Sequence, residues 1–257
     1  MNNRITKLFK TKKSNILSIY FTAGFPSLND TVPTIQYLAE GGVDMLEIGF
    51  PFSDPLADGQ VIQQSSKTAI ENGMTIKLLF KQLKDIRKKT DIPLILMGYL
   101  NPVLQFGEEK FIDTCAETGV DGIIIPDMPI DYYQNRLKKR CIESNVSKIF
   151  LITQQTSDEK AHIIDENSNG FIYMVSSDSV TGSNKSIENQ TPYFQRINNL
   201  GLKNSKLIGF GIHNKETFEN ACKYSNGAII GSSFIKHISE KGLSKENIFQ
   251  FIKRIKP

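Results

Sequence analysis

Eight short apolar runs recur along the chain, and the segments between them carry helical spacing. The runs cover 16–20, 45–48, 94–97, 122–125, 148–152, 171–175, 207–209 and 228–230. Most have no alternating polar face. Near-continuous apolar strands are buried on both sides, as in parallel sheets covered by helices. Ile76, Leu79, Phe80, Leu83 and Ile86 form a helical stripe that ends in Arg87-Lys88-Lys89, cations suited to a helix C-terminus. Val32, Ile35, Leu38 and Ala39 repeat the pattern before Gly41-Gly42, a helix stop. Further helices fit 111–118, 132–144, 158–167, 193–200, 215–223 and 247–255, and an extra one fits 4–10 ahead of the first strand. Gly42-Val43-Asp44, Gly119-Val120-Asp121, Asn169-Gly170-Phe171 and Asn226-Gly227-Ala228 each read as the end of a helix and the opening of a strand. Eight strands alternating with helices at this length predict a (β/α)8 TIM barrel. A doubly wound sheet is the rival arrangement. No Pro/Gly/Ser-rich linker divides the chain, so residues 1–257 are expected to form a single barrel domain.

The bulk numbers fit that architecture. A chain of 257 residues is long enough to bury about three quarters of its unfolded surface. The apolar fraction of 39%, charged fraction of 23% and net charge of +4 are ordinary for a globular protein. The one basic cluster, Lys7 to Lys13, interleaves lysines with Leu8 and Phe9, and reads as the solvated face of the N-terminal helix rather than a nucleic-acid patch. Cys115, Cys141 and Cys222 are too far apart for a zinc site, and an odd count argues against a disulfide framework. They are expected on helix faces as small hydrophobes. No apolar run approaches the roughly twenty residues of a membrane span, and Met1-Asn2-Asn3-Arg4 lacks the character of a signal peptide. A cytoplasmic location is the resulting expectation.

Two acids stand out. Glu47 lies inside the apolar run at 45–48, and Asp58 follows in a loop punctuated by Pro51, Pro55 and Gly59. A carboxylate in an apolar strand costs several kcal/mol unless it is paired or protonated. In a barrel, strand C-termini and the loops after them build the active-site face. Met45, Glu47 and Gly49 share one side of their strand. If that side faces inward, Glu47 projects toward the mouth with a raised pKa, as a general acid near neutral pH requires. A salt bridge to a neighbouring strand is the other reading of Glu47. Asp58 could reach over the same mouth, although an Asp before Gly often only makes a turn. The second half of the chain supplies an anion site. Val180-Thr181-Gly182, Gly209-Phe210-Gly211 and Gly231-Ser232-Ser233 fall after the sixth, seventh and eighth strands, where backbone N–H groups and helix N-termini favour a phosphate. No Walker A or dinucleotide-binding fingerprint is present. His162, His213 and His237 lack metal-ligand spacing, so no metal is expected. The residues describe a barrel enzyme using carboxylates on a phosphorylated small molecule.

The run from Glu47 to Gly59, EIGFPFSDPLADG, closely resembles the signature of tryptophan synthase alpha chains. Matches in the same order and spacing run the length of the chain: Tyr20 to Pro26 (YFTAGFP), Gly98 to Pro102 (GYLNP), Pro126 to Pro129 (PDMP), Val180 to Gly182, Gly209 to Ile212 (GFGI) and Gly231-Ser232. The resemblance implies retro-aldol cleavage of indole-3-glycerol phosphate to indole and glyceraldehyde 3-phosphate. It implies Glu47 as the catalytic acid/base and Asp58 as the partner of the indole N–H. Tyr20, Tyr173, Thr181, Gly182, Phe210, Gly211, Gly231 and Ser232 would bind the substrate, the glycines and serine at its phosphate. It further implies a beta chain as partner, in an α2β2 tetramer. That beta chain would carry pyridoxal phosphate, with no cofactor in this chain. The surfaces around Ser53-Asp54-Pro55 and Asp127-Met128-Pro129 would face the partner. A stand-alone lyase with no obligatory partner is the alternative. Tyr20 stands where an apolar aromatic is frequent, Gln60 where a proline is, and Ser179 where a glycine is; Ser177-Asp178 lack an arginine that some relatives have.

Overall fold

Eight strands close into a barrel in chain order, each parallel to its neighbours: β1 (Ile16–Thr22), β2 (Met45–Gly49), β3 (Leu94–Met97), β4 (Gly122–Ile124), β5 (Ser147–Ile152), β6 (Phe171–Val175), β7 (Ser205–Gly209) and β8 (Gly227–Ile230). This is a computed structural model, and it describes residues 2–55, 58–176 and 190–256. Closure is made by β1, which pairs with β2 on one side and β8 on the other. It rules out the doubly wound sheet. Helices connect the strands, completing the (β/α)8 pattern. Among the described residues, no helix is long and apolar enough to cross a membrane.

Strand alternation divides the core in two. Met45, Ile95, Ile149, Phe171, Leu207 and Ile229 fill the barrel interior. Leu46, Ile48, Leu94, Leu96 and Ile172 point outward and pack under the helices. The four sequence echoes open β2, β4, β6 and β8, and hydrogen bonding accounts for them. The N–H groups of Asp44, Asp121, Asn169 and Asn226 donate to the carbonyls of Leu17, Leu94, Lys148 and Lys206. Three of the side chains answer in reverse. Asp44, Asp121 and Asn226 accept the N–H of Leu17, Leu94 and Lys206 at 2.9, 3.0 and 2.8 Å. Each turn thereby ties an even strand to the start of the odd strand before it.

The N-terminal end of the barrel is plugged by the extra helix, Arg4–Thr11. Asn3 caps it by accepting the Thr6 N–H, a favourable start. Ile5 and Phe9 are buried on the inner face and join the interior cluster, with Phe9 stacking against Phe171 at 5.7 Å. Lys7, Lys10 and Lys13 stay exposed, while Lys12 pairs with Asp44 at 2.5 Å. The cluster is a solvated face, as its spacing implies.

Most expected helices form. Residues Asp158–Asn167 match without adjustment. The 132–144 stretch starts earlier, at Ile130, and contains a π-helical turn over Tyr133–Leu137. The 111–118 helix starts at Glu108, after Gly107 with φ +93, a left-handed geometry natural to glycine. Helices Gln60–Glu71 and Leu100–Phe106 carry no apolar stripe that would announce them. The first buries Ser65 and Ser66 beside Ile62 and Ala69, and Ser65 shares a 2.7 Å hydrogen bond with Thr22. The second is short and buries only Val103. The three free cysteines lie on helices Glu108–Glu117, Lys138–Glu143 and Lys215–Cys222, Cys115 and Cys141 buried and Cys222 partly so.

Candidate active site

Glu47 points into the barrel, as the side shared with Met45 requires, and is 0% exposed. Its Oε1 accepts the Ser18 hydroxyl at 3.1 Å. Its Oε2 is buried without a partner, and no ion pair reaches it among the described residues. The salt-bridge reading therefore falls. Burial raises its pKa to about 8 against the opposing effect of the Ser18 hydrogen bond. Desolvation disfavours the carboxylate, so Glu47 holds its proton at neutral pH.

Two tyrosines roof this carboxyl group. Tyr20 lies beside Glu47 in the β1–β2 register. A Cβ on Gly49, one step further toward the mouth, would collide with the Tyr20 hydroxyl. Tyr173 repeats the device on β6, its hydroxyl occupying the space above Gly209 of β7. Glycine at these strand ends lets each phenol lean across the mouth. Burial raises the pKa of both phenols, helped by the nearby charges of Asp58 and Glu47. They remain neutral hydroxyls.

Asp58 ends the loop that enters helix Gln60–Glu71. It does make a turn, its N–H donating to the Pro55 carbonyl, and its own carbonyl accepts Gln63 Nε2 at 2.8 Å. Its carboxyl nevertheless faces the mouth. Burial pushes its pKa up to about 6, opposed by a side-chain hydrogen bond from Tyr99. The two acids thus titrate on opposite sides of neutrality.

A cavity of about 210 Å³ opens beside Asp58 and the two tyrosines, with Glu47 buried outside its lining. Tyr20, Asp58, Tyr173, Phe210, Gly211, Gly231 and Ser232 all line it. Residues from 20 to 232 are thereby brought to one place. At its far end Phe210 and Gly211 take consecutive left-handed conformations, with φ of +70 and +69. Such a conformation strains a non-glycine residue, and a bond from Ser176 Oγ to the Phe210 carbonyl at 2.9 Å helps hold it. Gly231 precedes helix Ser232–Lys241, and a Cβ there would sit 3.3 Å from the Tyr20 ring. The first N–H groups of a helix have no partner within it, which suits this end to an anion. Thr181 and Gly182 lie outside the described residues. His213 is exposed just before helix Lys215–Cys222.

Some participants were not singled out as site residues, although Tyr99 and Ile212 fall within the GYLNP and GFGI matches. Ile62, Met97, Ile212 and Ile229 supply apolar walls. Met97 and Ile229 follow inward-facing alternation, which could have found them. Ser18 and Tyr99 touch the two acids and do not line this cavity.

A family model described as tryptophan synthase alpha chain matches residues 6–255. The chain belongs to the tryptophan synthase alpha chain family. An alpha chain from Flavobacterium psychrophilum is 57% identical over 256 residues, covering 99% of this chain and 100% of that protein. One from Parabacteroides distasonis is 49% identical, with 99% of both chains covered. Among solved structures, an alpha subunit from Legionella pneumophila superposes with a TM-score of 0.89 at 31% identity, covering 99% of this chain and 97% of that one. The A-subunit from Pyrococcus furiosus gives 0.85 at 30%, covering 95% and 98%. Membership brings a lyase activity, the cleavage of indole-3-glycerol phosphate in tryptophan biosynthesis.

Proposed function

We propose that this chain cleaves indole-3-glycerol phosphate with Glu47 as the proton-transfer group and Asp58 as the electrostatic partner of the indole ring. The observation that carries this reading is the fully buried Glu47 with its Oε2 unpartnered, beside Tyr20, which lines the cavity. A buried carboxyl oxygen without a partner is costly in a finished structure, and a substrate hydroxyl or reacting carbon satisfies it. Protonated Glu47 delivers a proton to indole C3. The Glu47 carboxylate left behind takes up the proton of the glycerol C3′ hydroxyl, the C3–C3′ bond breaks, and its electrons return to the ring. Indole and an aldehyde result, with protons and electrons balanced. Ionised Asp58 accepts the indole N–H and stabilises the cation created by C3 protonation. Tyr20 and Tyr173 bound the indole end. Phe210, Gly211, Gly231 and Ser232 hold the phosphate end, with Thr181 and Gly182 completing that end as the family resemblance implies.

The partner is a beta chain in an α2β2 assembly, and pyridoxal phosphate belongs to that beta chain; this chain uses no cofactor. Support comes from the surface beside Ser53, where Phe52, Gln63, Lys67 and Ile70 border a depression of about 630 Å³, with Ile70 40% exposed. Asp127 and Pro129 are exposed as a partner-facing segment requires, whereas Met128 turns into the core at 4% exposure. The protein works in the cytoplasm as one domain spanning 1–257.

The test is direct. The purified chain, incubated with indole-3-glycerol phosphate, should release indole, and Glu47→Gln should not. Near-normal turnover by the variant would remove Glu47 from the proton transfers. Addition of a beta chain should raise the rate; no effect would favour the stand-alone lyase.

A further inference from the structure

Lys148 takes no part in the chemistry above, yet it is fully buried. It precedes inward-facing Ile149 on β5, so its side chain enters the layer between barrel and helices. There its Nζ donates to the Ile125 carbonyl at 3.2 Å and lies 4.5 Å from the centre of the Phe150 ring. Among the described residues no carboxylate forms an ion pair with it. An ammonium kept in such a place needs a reason, because burial penalises it heavily. Burial lowers its pKa to about 7, with Cys141 of helix Lys138–Glu143 and Asp127 pulling the other way. Tyr133 closes the pocket from the helix side by packing on Phe150 at 5.4 Å.

The carbonyl that Lys148 holds is a pivot. Ile125 O also accepts the Met128 N–H at 3.2 Å, closing the turn after β4. Within that turn Pro126 borders a small gap shared with Asp58 and Tyr99. The Asp127 carboxylate accepts the Leu100 N–H at 2.9 and 3.1 Å. Leu100 opens helix Leu100–Phe106, and Tyr99 is its cap. Tyr99 in turn hydrogen-bonds the Asp58 carboxyl. A continuous set of contacts therefore joins β5 to the second acid of the site.

We propose that Lys148 is a positioning residue for Asp58: by pinning the Ile125 carbonyl it fixes the turn at 125–128, and through Asp127 and Leu100 it holds Tyr99 against the Asp58 carboxyl. The Nζ–H donates to the buried carbonyl in either protonation state, and more strongly when protonated. The inference rests on the assignment of Asp58 to the active site, but its main readout does not require activity.

The experiment follows the Asp58 carboxyl by carbon NMR in protein labelled at aspartate, with the signal assigned through Asp58→Asn. The Tyr99 bond lowers the Asp58 midpoint, so loosening it should raise that midpoint. Lys148→Met should shift it upward by about half a unit, roughly threefold in the ionisation constant. The variant should also lose about tenfold in kcat/KM for indole release, with kcat carrying the loss. Lys148→Gln, which keeps a donor, should restore both most of the way. A folded Lys148→Met with an unmoved midpoint overturns the proposal, as does a Lys148→Gln no better than Lys148→Met. If Lys148→Met does not fold, Asp127→Ala cuts the same path at its exposed link and must move the midpoint in the same direction; no movement overturns the proposal. Absence of indole release from the unmodified chain would defeat the assigned function, while the Asp58 midpoint would still decide the positioning.

Discussion

A carboxyl group with no exposure and one hydroxyl partner keeps its proton past neutral pH, and Glu47 does so with a midpoint near 8. Between its unfolded value and that midpoint the native state binds more protons than the unfolded chain. Stability therefore falls as pH rises through that window. Glu47→Gln removes the effect. The variant should gain on the order of 4 kcal/mol relative to the parent between pH 5 and pH 9, read by urea unfolding at both values. The same substitution should abolish indole release while preserving binding of an analogue that lacks the C3′ hydroxyl. A pH-independent stability difference would mean that Glu47 is not protonated at neutrality. Asp58 supplies the opposite limb. Its pKa, pushed up to about 6, requires that activity grow as pH rises through that value, because in the proposed role the ionised form stabilises the indole cation. With Glu47 needed in its protonated form, kcat/KM should be bell-shaped, with limbs near 6 and 8. A profile flat between pH 5 and 9 would contradict both assignments.

The elements divide the barrel into a stability end and a chemistry end. Helix Arg4–Thr11 lies at the first, with Phe9 6% exposed against Phe171. Phe9→Ala should cost about 3 kcal/mol, measured as a lower urea midpoint, with indole release per folded molecule within about twofold of the parent because the mouth lies at the other end. A comparable loss of turnover would show that the plug reaches the site. This helix was legible in the sequence because Ile5 and Phe9 are one turn apart on an otherwise basic segment. Helix Gln60–Glu71 was not, because its buried face is built from serines whose hydroxyls find partners such as Thr22. Hydrophobic periodicity registers apolar burial, and polar burial through hydrogen bonds leaves no such trace. The strands were the easier part. Burial on both faces makes each a nearly continuous apolar run, and the Asp or Asn that starts an even strand repeats because its side chain meets the preceding strand's N–H.

At the scale of the whole molecule, the site exists only once the ends of the chain meet. Tyr20 from β1 and Ser232 after β8 line one cavity, and β1 pairs directly with β8. Glu47 was legible because a charge in an apolar strand is anomalous by itself. The glycines at 211 and 231 gained meaning only from their positions after the seventh and eighth strands. Tyr99 and Lys148 could not be read this way, since each acts through a neighbour that folding alone supplies. Binding at this shared mouth should stabilise the whole barrel by mass action. The analogue lacking the C3′ hydroxyl, at a hundred times its Kd, should add about 2.7 kcal/mol, or roughly 5–10 °C in Tm for a chain of this size. Ser232→Asp puts a negative charge at the end assigned to the phosphate. The side chain is exposed, so the free chain should melt within about a degree of the parent. Like charges should instead weaken analogue binding by about 2 kcal/mol, close to thirtyfold, and remove most of the thermal gain. Undiminished stabilisation of Ser232→Asp would place the phosphate elsewhere on the mouth, and the two halves of the chain would no longer share one substrate.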